Sequence, residues 1–140
     1  MHLKFNLSKN ILAWYDNNKR TLPWRVSKKS KNSLYYRVLS EFMLQQTQVK
    51  TVIPYFNKFI RKYKTLEALA DTREIDVLKL WEGLGYYRRA KNLLACSKTL
   101  VKNYNSKLPE TLEEIKTLPG VGNYTGNALL GLIYNKPTIK

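Results

Sequence analysis

The stretch that decides the fold lies near the end of the chain, where residues 111–134 read TLEEIKTLPGVGNYTGNALLGLIY. Thr111 and Glu114 have the Ser/Thr-x-x-Glu spacing of a capping box, so a short helix should begin there. Leu118-Pro119-Gly120-Val121-Gly122 is a tight turn that contains two glycines. Apolar residues at helical spacing then predict a helix from Tyr124 to Tyr134. The stretch therefore indicates two helices joined by a hairpin turn.

A helix-hairpin-helix of this kind can hold a phosphate group. Its glycines let the backbone approach the phosphate, and N–H groups at the N-terminus of the second helix donate to the phosphate oxygens. Such contacts position a protein on DNA without reading its base sequence. We therefore predict DNA contacts at Leu118, Gly120, Val121 and Gly122. The alternative is an ordinary helix–helix connection, since glycine is common near helix ends.

The charge of the chain favours a polyanionic partner. Its 140 residues include 25 Lys and Arg against 10 Asp and Glu, a formal net charge of +15. This potential attracts nucleic acid, although an acidic membrane surface would also suit it. No apolar run approaches the roughly 20 residues that span a bilayer, and the N-terminus lacks a signal-peptide pattern. We expect an intracellular protein, cytoplasmic or nucleoid-associated, that binds nucleic acid and no membrane.

Apolar residues recur at helical spacing along the rest of the chain, and no strand-length run alternates with a period of two. The chain is therefore predicted to be all-α, with one helical region over residues 1–140. Besides the hairpin, helices are predicted after the capping residue Ser8 and over residues 34–47, 52–63 (with Pro54 in the first turn), 66–70, 75–82 and 90–101.

The chain holds one cysteine, Cys96, and one histidine, His2. A single thiol excludes an intrachain disulfide, and these two residues are too few for a zinc or iron–sulfur site. Free cysteine packs like a small hydrophobic residue, so Cys96 is predicted to lie in the core, as are Trp14 and Trp81. We expect no metal and no cofactor among these residues.

One carboxylate, Glu41, stands in the apolar helical run Leu39-Ser40-Glu41-Phe42-Met43-Leu44, which is followed by the amides Gln45 and Gln46. Burial disfavours a charged carboxylate, which raises its pKa and lets it donate a proton near neutral pH. The neighbouring amides can hydrogen-bond to base edges, so Gln45 and Gln46 are predicted DNA contacts. The pattern leaves a second interpretation open, which is a solvent-facing glutamate on a helix surface.

The segment Gly83-Leu84-Gly85-Tyr86-Tyr87 interrupts the helical pattern and predicts a turn that carries two adjacent aromatic rings. Tyrosine rings beside glycines can stack on DNA bases, where each stacked base contributes ~1–3 kcal/mol. They can equally pack on the protein itself.

Five segments together resemble the MutY family of adenine DNA glycosylases, within the helix-hairpin-helix glycosylase superfamily. In family order, they are Leu22-Pro23-Trp24-Arg25, residues 40–49, residues 52–56, residues 80–87 and Leu118-Pro119-Gly120-Val121-Gly122. The resemblance implies the helix-hairpin-helix glycosylase fold, with the hairpin at about residues 112–134. It also implies hydrolysis of the N-glycosidic bond of adenine mispaired with 8-oxoguanine or guanine.

The resemblance also implies roles for individual residues. Glu41 matches the catalytic glutamate that protonates the adenine, and Tyr124 matches a tyrosine that supports the active site. The positions that match residues inserted into the DNA stack are Gln46, Leu84 and Tyr86. Those that resemble residues flanking the adenine pocket are Arg20, Trp24 and Arg25.

The endonuclease III family shares the hairpin but combines glycosylase with lyase activity. In that family, the residue two positions after the last hairpin glycine is a lysine that attacks the sugar as an amine nucleophile. Here this residue is Tyr124. That family also lacks a glutamate at the position of Glu41. Both differences favour a monofunctional glycosylase.

Members of the MutY family continue beyond the hairpin into a Leu-Asp-Gly-Asn segment, whose aspartate stabilises the oxocarbenium ion. A four-cysteine [4Fe–4S] site and a C-terminal domain that reads 8-oxoguanine follow. These features are absent from residues 1–140. We therefore expect an N-terminal fragment, monomeric and inactive or weakly active alone, of a protein that holds the cluster at full length. The alternative is a non-catalytic helix-hairpin-helix module that binds DNA.

Overall fold

The computed structural model describes residues 22–27 and 29–134, apart from the side chain of Leu132. Within this range the regular structure is helical and contains no strand, which confirms the all-α prediction. The helix predicted after Ser8, the predicted core residue Trp14 and the pocket residue Arg20 lie outside the described residues. The helices are α1 (Ser33–Leu44), α2 (Val49–Lys62), α3 (Leu66–Ala70), α4 (Glu74–Trp81), α5 (Arg88–Asn103), α6 (Leu112–Ile115) and α7 (Asn123–Tyr134).

Helix α1 lies at the centre of the core and packs against α2, α5 and α7. Its buried face is made by Ser33, Tyr35, Val38, Leu39, Ser40, Phe42 and Met43. The helix ends at Leu44 rather than at the predicted residue 47, because Gln45 leaves the helical conformation and Gln46 has a left-handed φ of 60°. The residues after Leu44 therefore form a loop, which the side chain of Gln45 joins to the hairpin.

Helix α2 begins at Val49, so the prediction that Pro54 lies in its first turn is wrong. Pro54 lies one turn further into the helix, where its missing N–H deprives the carbonyl of Lys50 of its usual backbone donor. The position is exposed, so water can satisfy that carbonyl. The apolar stripe that decided the prediction does not mark where a helix begins.

Helices α3 and α4 match the predicted segments within one residue at each end, and both pack against α5. The α3 helix is capped by Thr65, whose Oγ1 accepts a hydrogen bond from the N–H of Ala68 at 3.0 Å. Trp81 and Cys96 are fully buried, as predicted. Burial raises the pKa of the Cys96 thiol to about 12, so this thiol is unreactive in the folded chain.

The hairpin connects α6 to α7 as predicted. Oγ1 of Thr111 accepts a hydrogen bond from the N–H of Glu114 at 3.3 Å, which is the first half of the predicted capping box. The two helices approach closely because Gly126 has no side chain: a Cβ there would lie 2.8 Å from Cδ1 of Leu112. No helix within residues 29–134 is both long and apolar enough to cross a membrane.

Candidate active site

A cleft of about 520 Å³ opens between the C-terminal end of α1 and the hairpin. Its lining residues are Glu41, Leu44, Gln45, Gln46, Gly120, Gly122, Tyr124 and Thr125. Except for Leu44 and Thr125, all were site residues predicted from the sequence. The fold thus brings together two segments that are about 80 positions apart in the chain.

Glu41 is half-buried on α1 at one side of the cleft. Burial raises the pKa of its carboxyl, and the positive charge of Arg37 opposes that shift only in part. A carboxyl with a raised pKa keeps its proton to a higher pH and can donate it as a general acid. The alternative of an ordinary solvent-facing glutamate does not describe this side chain, which is half-buried and faces a concave site.

The loop after α1 is fastened to the hairpin by the side chain of Gln45. Its Nε2 donates to Oγ1 of Thr125 at 3.1 Å and to the carbonyl of Gly120 at 3.5 Å. Thr125 is itself buried, at 5% exposure. The amide N–H groups of Gln45 are therefore used within the protein, whereas the neighbouring Gln46 is exposed. Thr125 is a site residue that sequence reasoning missed, because a threonine inside an apolar helix gives no sign of its partner.

The two glycines of the hairpin turn have different surroundings. Gly120 has a left-handed φ of 76°, and a Cβ on it would lie 2.6 Å from Cβ of Asn92 and 2.7 Å from Cε1 of Phe42. Gly122 is exposed, and a Cβ on it would meet no atom within 4 Å. Gly120 is therefore required for packing, and Gly122 leaves the backbone open to a ligand.

The other hairpin residues differ in exposure. The side chains of Leu118 and Val121 are buried, and the N–H of Leu118 donates to the carbonyl of Ile115 at 3.0 Å. The N–H of Val121 donates to the carbonyl of Leu118 at 3.2 Å, which closes the turn. Tyr124, at the start of α7, is 84% exposed although its ring is apolar. An exposed aromatic ring at the rim of a cleft can pack against a ligand that enters it.

The segment Gly83–Tyr87 forms a turn close to the end of α1. Nε1 of Trp81 donates to the carbonyl of Gly85 at 3.0 Å, and the hydroxyl of Tyr87 accepts from the N–H of Gly83 at 3.2 Å. Tyr86 has a left-handed φ of 49°, and its side chain is 63% exposed. The turn therefore presents Tyr86 to solvent on a backbone that several hydrogen bonds hold.

Leu84 is not presented in the same way. Its side chain is buried in the hydrophobic core, at 6% exposure, although the resemblance implied that it inserts into DNA. The core accommodates Leu84 because an apolar side chain in a turn gains free energy by packing inward. Insertion of Leu84 into a duplex would require this turn to open.

Trp24 and Arg25, which the resemblance implied to flank the adenine pocket, are not among the residues that line the cleft. The ring of Trp24 is buried and makes an edge-to-face contact with Phe56 at a centroid distance of 5.3 Å. Arg25 is exposed. Trp24 is buried because the large apolar area of its indole ring favours packing between helices.

The [4Fe–4S] cluster expected of full-length relatives does not fit the residues of this chain. Such a cluster needs four thiolates, whereas the sequence has one cysteine and that thiol is buried in the core. Within the described ranges, no group of three or more His, Cys, Asp or Glu residues lies together in a way that could hold a metal ion.

The chain is similar in sequence to proteins named adenine DNA glycosylases. The chain is 43% identical over 133 residues to the adenine DNA glycosylase of Buchnera aphidicola subsp. Acyrthosiphon pisum (strain APS), an alignment that covers 94% of the chain and 37% of the relative. It is 41% identical over 135 residues to the adenine DNA glycosylase of Rattus norvegicus, which covers 93% of the chain and 26% of that relative. The chain therefore spans well under half the length of these curated relatives.

Solved structures support the same fold. A thermostable thymine-DNA glycosylase superposes with a TM-score of 0.70 at 27% identity, over 91% of this chain and 58% of that one. A non-covalent endonuclease III–DNA complex superposes with a TM-score of 0.68 at 19% identity, over 91% of this chain and 60% of that one, which supports the fold alone. Residues 39–139 match the HhH-GPD superfamily base excision DNA repair protein model, so the chain belongs to the HhH-GPD superfamily of base excision DNA repair proteins.

Proposed function

We propose that this chain supplies the catalytic glutamate and the DNA-binding hairpin of a monofunctional adenine DNA glycosylase. Its substrate is adenine opposite 8-oxoguanine or guanine in double-stranded DNA. The observation that carries the proposal is the half-buried carboxyl of Glu41, which lies at one side of a cleft that the hairpin completes. Burial raises the pKa of this carboxyl. The curated relatives that share about 40% of its sequence are named adenine DNA glycosylases.

The chemistry requires the adenine to leave the helical stack and enter the cleft. Removing a base from the stack costs a few kcal/mol. Contacts that the protein makes with the flipped base, and with the gap left in the duplex, offset this cost. Glu41 then donates its proton to the adenine ring. The N-glycosidic bond breaks, its electron pair stays with the adenine, and water adds to the sugar carbon with loss of a proton.

The sugar passes through an oxocarbenium-like state, which a second carboxylate stabilises in the analogous glycoside hydrolases. Among the described residues that line the cleft, Glu41 is the one with a carboxylate. We therefore propose that full activity depends on the aspartate of a Leu-Asp-Gly-Asn segment that follows the hairpin in the MutY family. The chain without that segment would be inactive or weakly active.

DNA binding in this proposal uses the hairpin and two exposed loops. The N-terminus of α7, preceded by the open Gly122, is suited to a phosphate because its first N–H groups lack intrahelical partners. The net charge of +15 attracts the duplex over a longer range. Gln46 and Tyr86 are exposed and are proposed to fill the gap left by the flipped base.

The surroundings of Tyr124 argue against a lyase. A lyase needs an amine that forms a Schiff base with the sugar. Tyr124 occupies the position where the endonuclease III family has its lysine, and none of the described residues that line this cleft is a lysine. The proposed enzyme therefore hydrolyses the glycosidic bond and leaves the sugar–phosphate backbone intact.

A second candidate function is a non-catalytic DNA-binding module, which is favoured because Glu41 is the one carboxylate among the described residues that line the cleft. Such a module would bind matched and mispaired duplexes equally. Its affinity would fall steeply with salt, because phosphate contacts release counterions.

Single-turnover release of adenine from a duplex with adenine opposite 8-oxoguanine tests the proposal. The chain is compared with a version extended through the Leu-Asp-Gly-Asn and four-cysteine segments of a relative. We expect the extended form to release adenine, and Glu41→Gln to slow release by ~10²–10⁴-fold because a general acid is lost. Glu82→Gln is the matched control, since Glu82 is exposed and does not line the cleft.

The alternatives have distinct outcomes in the same assay. An extended chain that binds DNA and releases no adenine would leave the non-catalytic module as the function. A covalent adduct trapped with borohydride would show a Schiff base and identify a lyase.

A further inference from the structure

Arg89 is a buried cation in the first turn of α5, at 7% exposure. It lies between the loop that follows α1 and the Gly83–Tyr87 turn. Its side chain donates to backbone carbonyls of both. The acceptors are Phe42 (3.3 Å from Nη1), Met43 (2.6 Å from Nη1), Gln45 (2.5 Å from Nη1), Gly85 (3.1 Å from Nη2) and Tyr86 (3.4 Å from Nε).

Among the residues that the structure describes, backbone carbonyls and aromatic rings rather than a carboxylate compensate the charge of Arg89. Burial lowers the pKa of the guanidinium. The carbonyls at the C-terminal end of α1 carry partial negative charge, which stabilises a cation there. The guanidinium carbon also lies 5.2 Å from the centre of the Trp81 ring and 5.5 Å from that of the Tyr86 ring. Arg89 therefore acts as a cap for α1 and as a link to the neighbouring turn.

Both linked loops contain a residue in an unfavourable backbone conformation. Gln46 has φ 60° and Tyr86 has φ 49°, in the left-handed region that side chains other than glycine rarely adopt. Such conformations persist when surrounding contacts enforce them, and they are concentrated at functional sites. Arg89 holds the carbonyl immediately before Gln46 and the carbonyl of Tyr86 itself.

We infer that Arg89 is a positioning residue that holds Gln46 and Tyr86 at a fixed separation, so that both side chains meet one duplex together. This role rests on the proposed function, because it gives these two residues the task of filling the gap beside a flipped base. Arg89 does not touch the reacting atoms and acts through the two backbone segments that it joins.

Lysine cannot replace arginine in this role. The guanidinium is planar and presents five N–H donors in a fixed fork, which reaches carbonyls on two sides. A lysine has the same charge but places its three donors on one nitrogen. Arg89→Lys therefore removes the link and keeps the charge. Arg88→Lys is the matched control, because Arg88 is the preceding residue of the same helix and is exposed.

The first test measures backbone order by ¹⁵N relaxation at the amides of Gln46 and Tyr86. In the unsubstituted chain, we expect both amides to be as ordered as those of α7. Arg89→Lys should loosen both amides together and leave α7 unchanged, and Arg88→Lys should change neither. A folded Arg89→Lys chain in which either amide stays ordered would overturn the inference. This readout does not depend on glycosylase activity.

The second test measures binding to a duplex that holds a tetrahydrofuran abasic-site analogue opposite 8-oxoguanine. Arg89→Lys should weaken binding about 10-fold and leave the slope against salt concentration unchanged, since the phosphate contacts remain. In a Tyr86→Ala background, Arg89→Lys should weaken DNA binding much less, because Arg89 acts on binding in part through the position of Tyr86. Fully additive effects, or equal loss in Arg88→Lys, would refute a positioning role.

A third measurement covers the case in which Arg89→Lys does not fold. Rotation of the guanidinium is observed by NMR in the unsubstituted chain. Bonds to carbonyls on two sides should slow rotation and separate the Nη1 and Nη2 signals of Arg89, whereas the exposed Arg88 should give averaged signals. Averaged signals for Arg89 would overturn the inference. If the signals are separated but the extended form of the chain fails to release adenine, the proposed function would be refuted and the link between the loops would stand.

Discussion

Alanine substitutions at three glycines should separate the backbone and packing contributions to the stability of the site. Gly122 has open space around its Cα and no left-handed φ. Gly85 has a left-handed φ of 81° but also has open space. Gly120 has both a left-handed φ and close neighbours, since a Cβ there would lie 2.6 Å from Cβ of Asn92 and 2.7 Å from Cε1 of Phe42. The three positions thus form a graded series.

The magnitudes follow from these differences. Alanine reduces the entropy of the unfolded chain, which stabilises the folded state by ~0.4–1 kcal/mol where the conformation is compatible. A left-handed φ costs an alanine roughly 1–2 kcal/mol. Overpacking adds roughly 1–3 kcal/mol. We expect Gly122→Ala to be neutral or slightly stabilising, Gly85→Ala to lose about 1 kcal/mol and Gly120→Ala to lose about 2–4 kcal/mol, from these terms.

Urea unfolding followed by far-UV circular dichroism measures these free energies. For a chain of this size, each kcal/mol corresponds to roughly 4 °C in Tm, so Gly120→Ala should melt ~10 °C lower. Equal losses for Gly85→Ala and Gly120→Ala would refute the close packing of the hairpin against α1 and α5. Gly122→Ala should instead weaken DNA binding with little change in stability, because its Cβ projects where a phosphate would approach. Unchanged DNA affinity in this variant would contradict the proposed phosphate contact.

Two further predictions concern titratable groups. Burial raises the pKa of Glu41, so the folded chain binds this proton more tightly than the unfolded chain and loses stability as the pH rises from about 4.5 through that pKa. Glu41→Gln should therefore stabilise the chain more at about pH 7 than at about pH 4 in urea titrations, unlike the exposed Glu82→Gln; a gain that does not grow with pH would contradict this. Because burial raises the pKa of Cys96 to about 12, a thiol reagent at about pH 8 should label it at least ~10-fold more slowly in the folded chain than in urea. Equal labelling rates would show that the core around Cys96 is open.

Local interactions explain the part of the fold that could be predicted from the sequence. Periodic apolar residues located the helices, and the glycine-bearing turn with the Thr111 cap located the hairpin, because these features depend on neighbouring residues. Helix ends were less predictable. The end of α1 at Leu44 depends on Arg89, which donates hydrogen bonds to carbonyls more than 40 positions away in the chain. No pattern of neighbouring residues predicts such a contact.

For the candidate site, the tertiary structure shows which of the predicted residues lie together. The resemblance named Glu41 and Tyr124, and the fold places both at one cleft. Their catalytic roles stay predictions. Leu84 and Trp24 were predicted near the DNA and the adenine, and the structure buries both side chains. Their apolar side chains gain free energy in the core, and which positions the core can accept depends on how the helices pack.

The sequence by itself determined the helical class of this protein, the hairpin and the family to which it belongs, since residue types and short spacings carry that information. Only the tertiary structure decided that Nε2 of Gln45 would donate to Oγ1 of Thr125. It also decided which of the adjacent arginines, Arg88 or Arg89, would be buried between two loops. These outcomes depend on contacts between residues tens of positions apart, whose geometry is set when the helices pack together.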